Sequence, residues 1–268
     1  MFGGSGVIEQ LDDLGVSWVQ LPGTGVDAFR PLDRFAGVTL TCARGTSATA
    51  ISEFVLASML MFEKRLTDVW LHEPPERWNL PASTLGTLHG RTLGLIGLGG
   101  IGSAIATRAL PFGMRVVAFR RHADQPSPVA GVDVVASLDE LLPVADHLVV
   151  AAPATSATAH LLDSRAFSLV KPGVHLVNIA RGTLIDQDAL RAALDDGRVA
   201  CASLDVADPE PVPAGHWLYE HPGVRLTAHI SWSMPGGFEN ISGYFLDNLG
   251  RYLAGEPLEG VVDIDEGY

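Results

Sequence analysis

The sequence predicts an α/β protein built on a doubly wound, buried parallel sheet. Three observations predict it. Short Val/Ile/Leu runs alternate with helical segments from Arg91 to His229. Several of those segments start at a Ser or Asp suited to cap a helix. A glycine-rich turn, GLGGIG at 97–102, joins one apolar run to the next helix. Runs this apolar suit strands covered by helices on both faces.

The elements follow in order. VSWVQLPG (16–23) and GVTLTCA (37–43) read as short strands. TSATAISEFVLASMLMFEKRL (46–66) reads as a helix, apolar nearly all round and so expected to be buried, with Glu53 as a structural hydrogen-bonding acid. HEPPERWNLPASTLGTLHG (72–90) is rich in Pro and Gly and reads as a connecting segment. TLGLIG is a strand, GIGSAIATRAL a helix and RVVAF a strand. SLDELLPVA is a short helix behind Ser137, and HLVVAA is a strand. DSRAFSLV is a helix capped by Asp163, and VHLVNIA is a strand. DQDALRAALDDG is a helix from Asp186 to Gly197. VACASLDV and VRLTAHI are the last strands, and FENISGYFLDNLGRYLAG is a closing helix.

Composition narrows the function. A net charge of −13 disfavours nucleic acid and anionic membrane as partners. The runs FVLASMLMF and HLVVAAPA are too short to span a bilayer. The opening MFGGSGVIEQLDD lacks the basic and apolar regions of a secretory leader, so a soluble, cytoplasmic protein is expected. Cys42 and Cys201 stand in no metal or redox spacing and read as small buried hydrophobes.

The turn at Gly97, Gly99 and Gly102 has the context that makes such a motif informative, a strand before it and a helix after it. It predicts a Rossmann-type dinucleotide site, with the phosphates at the helix N-terminus. At the end of the following strand such sites carry an acid for the ribose hydroxyl; here Arg120 and Arg121 stand instead. A guanidinium pairs with a 2′-phosphate that an acid would repel. The arginines therefore favour NADP(H), with NAD(H) the other possibility; two solvated surface charges are the plain alternative.

Three later stretches place polar residues just past a strand: VNIARGTLID (177–186), SLDVADPEPVP (203–213) and LTAHISW (226–232). Ligands of open parallel sheets bind outside the carboxyl ends of the strands, so Arg181, Asp205, Glu210 and His229 are expected to meet there. With GTGVD (23–27), GRTLGLIGLGGIG, PATSATAHLL (153–162) and the tail VVDIDEGY, these stretches resemble the D-isomer-specific 2-hydroxyacid dehydrogenases over most of the chain. The resemblance implies reduction of a 2-oxo acid by a nicotinamide cofactor. It makes His229 the general acid, Glu210 its partner and Arg181 the substrate clamp. It implies that Asp205 holds the nicotinamide carboxamide, that Pro153, Thr158 and the peptides of Gly100 and Ile101 lie near the cofactor and its phosphates, and that the amides of Thr24 and Gly25 receive the substrate carboxylate. The other histidines, His147 and His175 among them, read as structural or surface residues.

The departures refine this. Ala228 precedes the histidine and Ser231–Trp232 follow it. The His-x-x-Trp form is similar to the glyoxylate and hydroxypyruvate reductase branch, though Trp232 could instead narrow the pocket. Only 22 residues precede Gly23. A βαβ unit takes about 30 residues or more, so the resemblance implies a truncated flavodoxin-like substrate domain from 1–63 and 236–268 beside a dinucleotide-binding domain at 64–235. It also implies a homodimer through the cofactor domain. Two readings remain: an NADP(H)-dependent reductase of small 2-oxo acids, or a catalytically impaired dinucleotide-binding or sensing protein on the same scaffold.

Overall fold

The computed structural model describes residues 15–70, 73, 78 and 85–268. Most of the expected connecting segment lies outside the described residues. The chain divides into two compact units, one formed by the chain up to Ser47 with Met234–Tyr268, the other by Ala48–Ser233.

The smaller unit holds two parallel strands, β1 (Trp18–Leu21) and β2 (Thr39–Cys42). Leu21, Val26, Leu32, Phe35, Leu40, Cys42 and Val262 form its core. Its helix, Gly237–Ala254, closes on Gly255 and stacks Phe245 and Tyr252 against Trp18, with ring centroids 5.6 and 5.2 Å away.

The larger unit is a seven-stranded sheet in which every pairing is parallel. Its strands are β3 (Thr92–Ile96), β4 (Arg115–Phe119), β5 (Val132–Val135), β6 (His147–Val150), β7 (Val174–Asn178), β8 (Val199–Leu204) and β9 (Val224–Leu226). Their order is β5-β4-β3-β6-β7-β8-β9, so the winding reverses between β3 and β6. That reversal opens a crevice at the carboxyl ends, where such sheets take ligands. Alternation along the strands feeds two cores. Leu148, Leu176 and Ala202 pack with Phe167 and Leu190 on one face, and Leu95, Val149 and Val177 pack with Val55, Met59 and Ile105 on the other.

In chain order the helices are α1 (Ala48–Lys64), α2 (Leu66–Val69), α3 (Gly100–Ala109), α4 (Leu138–Leu141), α5 (Ser164–Leu169), α6 (Gln187–Asp195) and α7, the Gly237–Ala254 helix. Asp163 and Asp186 cap α5 and α6 through their carboxylates, as their positions predict. Ser137 precedes α4 but its hydroxyl bonds Glu140 Oε1 at 2.7 Å instead of a backbone amide.

Four expectations change. The units part before α1, not after residue 63, because Val55 and Met59 belong to the core under β3 and β7. Helix α1 is buried on one face rather than all round, and Met61 is 42% exposed. Its buried acid is Glu63; Glu53 is exposed. Strand β5 has no counterpart in the sequence reading. Its residues VDVV are mostly half-exposed at a sheet edge, so they lack the apolar run that marks the central strands.

Candidate active site

The first part of the site is the turn between β3 and α3. Gly97 has φ +103°, open to glycine and strained for other residues, and a Cβ there would meet Ala151 backbone at 2.9 Å. At Gly102 a Cβ would lie 2.2 Å from the Gly97 carbonyl, so helix and turn can close only without a side chain. Gly99 is the N-cap of α3 and offers no capping side chain. The first-turn amides, which a helix cannot satisfy internally, are left for an outside acceptor. A Cβ on Gly99 or Gly100 would meet open space, so the backbone here is accessible. These features fit a dinucleotide pyrophosphate.

Arg120 and Arg121 follow β4, whose neighbour in the sheet is β3. Arg120 Nη2 donates to the carbonyls of Gln125 and Pro126, while its Nε is buried without a hydrogen-bond partner. Arg121 is exposed. After β6, Thr158 Oγ1 donates to the Pro153 carbonyl at 2.8 Å and accepts from the Thr155 amide at 2.8 Å, fixing the turn of 153–158. Thr24 and Gly25 belong to the smaller unit, in the turn after β1, where Thr24 Oγ1 donates to the Ala43 carbonyl at 3.2 Å.

The second part stands at the ends of β7, β8 and β9, which are neighbours in the sheet. Arg181 follows β7. Asn178 braces its backbone, donating to the Arg181 carbonyl at 2.9 Å and accepting from the Ala180 amide at 3.0 Å. A Cβ on Gly182 would sit 2.0 Å from Ala207 backbone, so the Arg181 loop and the loop after β8 pack in direct contact. In that second loop Glu210 Oε1 accepts from the Ala207 amide at 3.1 Å. Glu210 Oε2 reaches His229 Nδ1 at 2.9 Å, both side chains being 37% exposed. With Nδ1 engaged, Nε2 is the ring nitrogen left to exchange a proton with a ligand.

His229 has φ +56°, left-handed for a residue with a side chain. Asp205 holds it there. The His229 amide donates to the Asp205 carbonyl at 2.8 Å. The Asp205 carboxylate accepts from Thr227 Oγ1 at 2.6 Å and from the amides of Ile230 and Ser231, each at 2.9 Å. Trp232 Nε1 donates to the His229 carbonyl at 2.9 Å and completes the loop. Asp205 is 1% exposed. Burial pushes its carboxyl up, but the bonds from Ser231, Thr227 and Ile230 outweigh that and hold it below the usual carboxylate value.

The structure thus joins Glu210 to His229, seats His229 on Asp205 and packs the Arg181 loop against the Glu210 loop. The clamp function of Asp205 was not legible in the sequence, which marked it as a polar residue after a strand and, through the resemblance, as the acid that holds the nicotinamide carboxamide. Thr227, Gly182 and Asn178 were also missed. The signal for Thr227 is its place two residues before the histidine, just past the end of β9.

Residues 56–231 match the model described as the D-isomer specific 2-hydroxyacid dehydrogenase, NAD binding domain. The chain belongs to this family of D-isomer specific 2-hydroxyacid dehydrogenases. As a family member it carries the nicotinamide-dinucleotide binding domain. It is 34% identical over 220 residues to D-3-phosphoglycerate dehydrogenase of Bacillus subtilis, covering 82% of this chain and 41% of that protein. It is 31% identical over 259 residues to glyoxylate/hydroxypyruvate reductase A of Serratia proteamaculans, covering 92% of this chain and 80% of that protein. A D-isomer specific 2-hydroxyacid dehydrogenase from Xanthobacter autotrophicus Py2, solved with NADPH and MES, superposes with a TM-score of 0.80 at 28% identity, covering 94% and 79% of the two chains. The chain spans less than half the length of several D-3-phosphoglycerate dehydrogenases that it matches. No described helix is long and apolar enough to cross a membrane.

Proposed function

We propose that this chain reduces small 2-oxo acids of the glyoxylate or hydroxypyruvate type, with NADP(H) as its preferred cofactor. The observation that carries the reading is the 2.9 Å His229–Glu210 pair on a loop that Asp205 fixes. A bound nicotinamide brings two-electron reduction at the carbonyl carbon. The developing alkoxide then needs a proton, and His229 Nε2 supplies it. Glu210 fixes the ring through Nδ1, which leaves Nε2 for the proton transfer. Arg181 is a permanent cation that binds the substrate carboxylate and polarises the carbonyl. In this reading the amides of Thr24 and Gly25 also serve the carboxylate. The first-turn amides of α3 and the peptides of Gly100 and Ile101 serve the phosphates, and Pro153 and Thr158 shape the nearby loop. Arg120 and Arg121 serve the 2′-phosphate, supported by their place just past β4, where an acid for the ribose hydroxyl would otherwise stand.

Relatives named for D-3-phosphoglycerate belong in the same test. The experiment is a fluorescence titration of this chain with NADPH and NADH, then addition of glyoxylate, hydroxypyruvate or, with the oxidised cofactors, D-3-phosphoglycerate. Tight NADPH binding followed by oxidation on glyoxylate or hydroxypyruvate is expected. Turnover only of D-3-phosphoglycerate would replace the substrate. Binding without turnover would favour the dinucleotide-sensing reading. A homodimer through the larger unit is part of the proposal, supported by the exposed Met61, Val69 and Trp70 at and beyond the end of α1. Sedimentation showing only monomer would remove it.

A further inference from the structure

Beneath the carboxyl-end site, a second polar cluster lies in the layer between α1 and the sheet. His147 opens β6 and is paired in register with His175 on β7. Both are 0% exposed. Their Nδ1 atoms are 3.1 Å apart. His147 Nε2 lies 3.2 Å from Glu63 Oε1 on α1, and His175 Nε2 lies 3.0 Å from Ser203 Oγ on β8. Phe62 stacks on the His175 ring at 4.5 Å and meets His147 edge-on at 5.8 Å. None of these groups takes part in the chemistry proposed above.

Donor and acceptor rules fix where the protons sit. An ionised carboxylate only accepts, so His147 Nε2 donates to Glu63. A neutral His147 then has a bare Nδ1, which must accept from His175 Nδ1–H. His175 Nε2 is therefore bare and accepts from the Ser203 hydroxyl. Every polar atom on the path is satisfied, as burial demands. One added proton can enter without breaking the path. It makes His147 a cation beside Glu63, donating from both nitrogens, while His175 changes tautomer and donates from Nε2 to Ser203. Two of the bonds reverse and none is lost. A second added proton sets Nδ1–H against Nδ1–H at 3.1 Å, and the path breaks.

The surrounding charges hold the ends of this path. Arg91 Nε lies 3.3 Å from Glu63 Oε1, and Gly86 packs so close to that carboxylate that a Cβ would overlap it. Lys64 turns away to the Gly86 carbonyl at 2.6 Å. Asp146, before β6, takes Lys171 at 2.6 Å and Arg91 at 3.5 Å. On the cavity side, of about 500 Å³, Glu63 and Ser203 are joined by Arg65, Asp68, Cys201 and Arg225. Burial, then the charge of His147, holds the His175 imidazole well below the usual histidine range, so that ring stays neutral.

We propose that Glu63, His147, His175 and Ser203 form a proton-coupled latch, which takes up one proton by reversing its hydrogen bonds and keeps α1 fastened to β6, β7 and β8 in both states. Long-range ¹⁵N–¹H spectra of the histidine rings in the full chain, recorded while the pH is lowered, test it directly. At pH 8 His147 should carry its proton on Nε2 and His175 on Nδ1. As the pH falls His147 should become doubly protonated and His175 should switch to the Nε2 tautomer, both with one midpoint. Independent midpoints, double protonation of His175 first, or no change in either ring before unfolding would each overturn the latch.

Discussion

Two buried polar clusters in the same unit follow different rules. The Asp205 cluster surrounds one carboxylate with donors that do not titrate near neutrality: the Thr227 hydroxyl and two backbone amides. The Glu63–His147–His175–Ser203 cluster contains two rings whose nitrogens can exchange donor and acceptor roles. The first fixes a shape; the second responds to pH. A buried polar group is rigid when its partners are obligate donors, and switchable when they can exchange roles.

The strongest way to break this contrast is at the group the Asp205 cluster supports. His229→Ala should lower reduction about 10²- to 10⁴-fold with NADPH affinity retained. An equal loss of NADPH binding would show that the histidine is not confined to proton transfer. Asp205→Ala comes next. It leaves a hydroxyl and two amides without their acceptor, and urea unfolding should show a loss of about 3 kcal/mol. Full stability in that variant would mean that the loop does not depend on the clamp. Arg120→Asp should shift the NADPH to NADH preference by about tenfold or more, close to 1.4 kcal/mol, in paired binding titrations. An unchanged ratio would return the arginine to a loop-bracing role.

The pH responses sharpen the contrast further. His175 has its folded value depressed, so the unfolded chain binds the proton first. Its contribution to stability is present above the ordinary histidine value near 6.5 and is lost as pH falls below it, with a slope approaching about 1.4 kcal/mol per pH unit. Asp205, also depressed, keeps its contribution above its ordinary value and loses it only in the acid range below that. Urea midpoints between pH 7.5 and 5 should therefore fall in the parent and flatten in His175→Phe. Equal slopes would separate His175 from the response. The smallest effect is expected at Asp186→Ala, where loss of the α6 cap should cost about 1 kcal/mol in the same assay.

The central strands were legible because residues such as Leu148, Val149 and Val150 are apolar on both faces. Caps such as Asp163 and Asp186 were legible because a carboxylate before a helix has a local use. The glycine turn followed from its motif, the meeting of Glu210 and His229 from their places past strand ends, and their pairing only from the family resemblance. Strand β5 was hidden because an edge strand needs few apolar residues. The histidine path was hidden for a different reason. His147 and His175 are 28 residues apart, and only the parallel register of β6 and β7 makes them neighbours. Glu63 reaches them from a helix whose sequence drew attention to Glu53 instead.

The contact at Gly182 ties two loops into one mechanical part. Any side chain there would push on the backbone of Ala207 and Asp208. Ala207 carries the amide that Glu210 accepts, and Glu210 holds His229. A change beside Arg181 would therefore travel through Ala207 to the histidine. A substitution at Gly182 would therefore disturb the loop of the cation and the loop of the acid in one step.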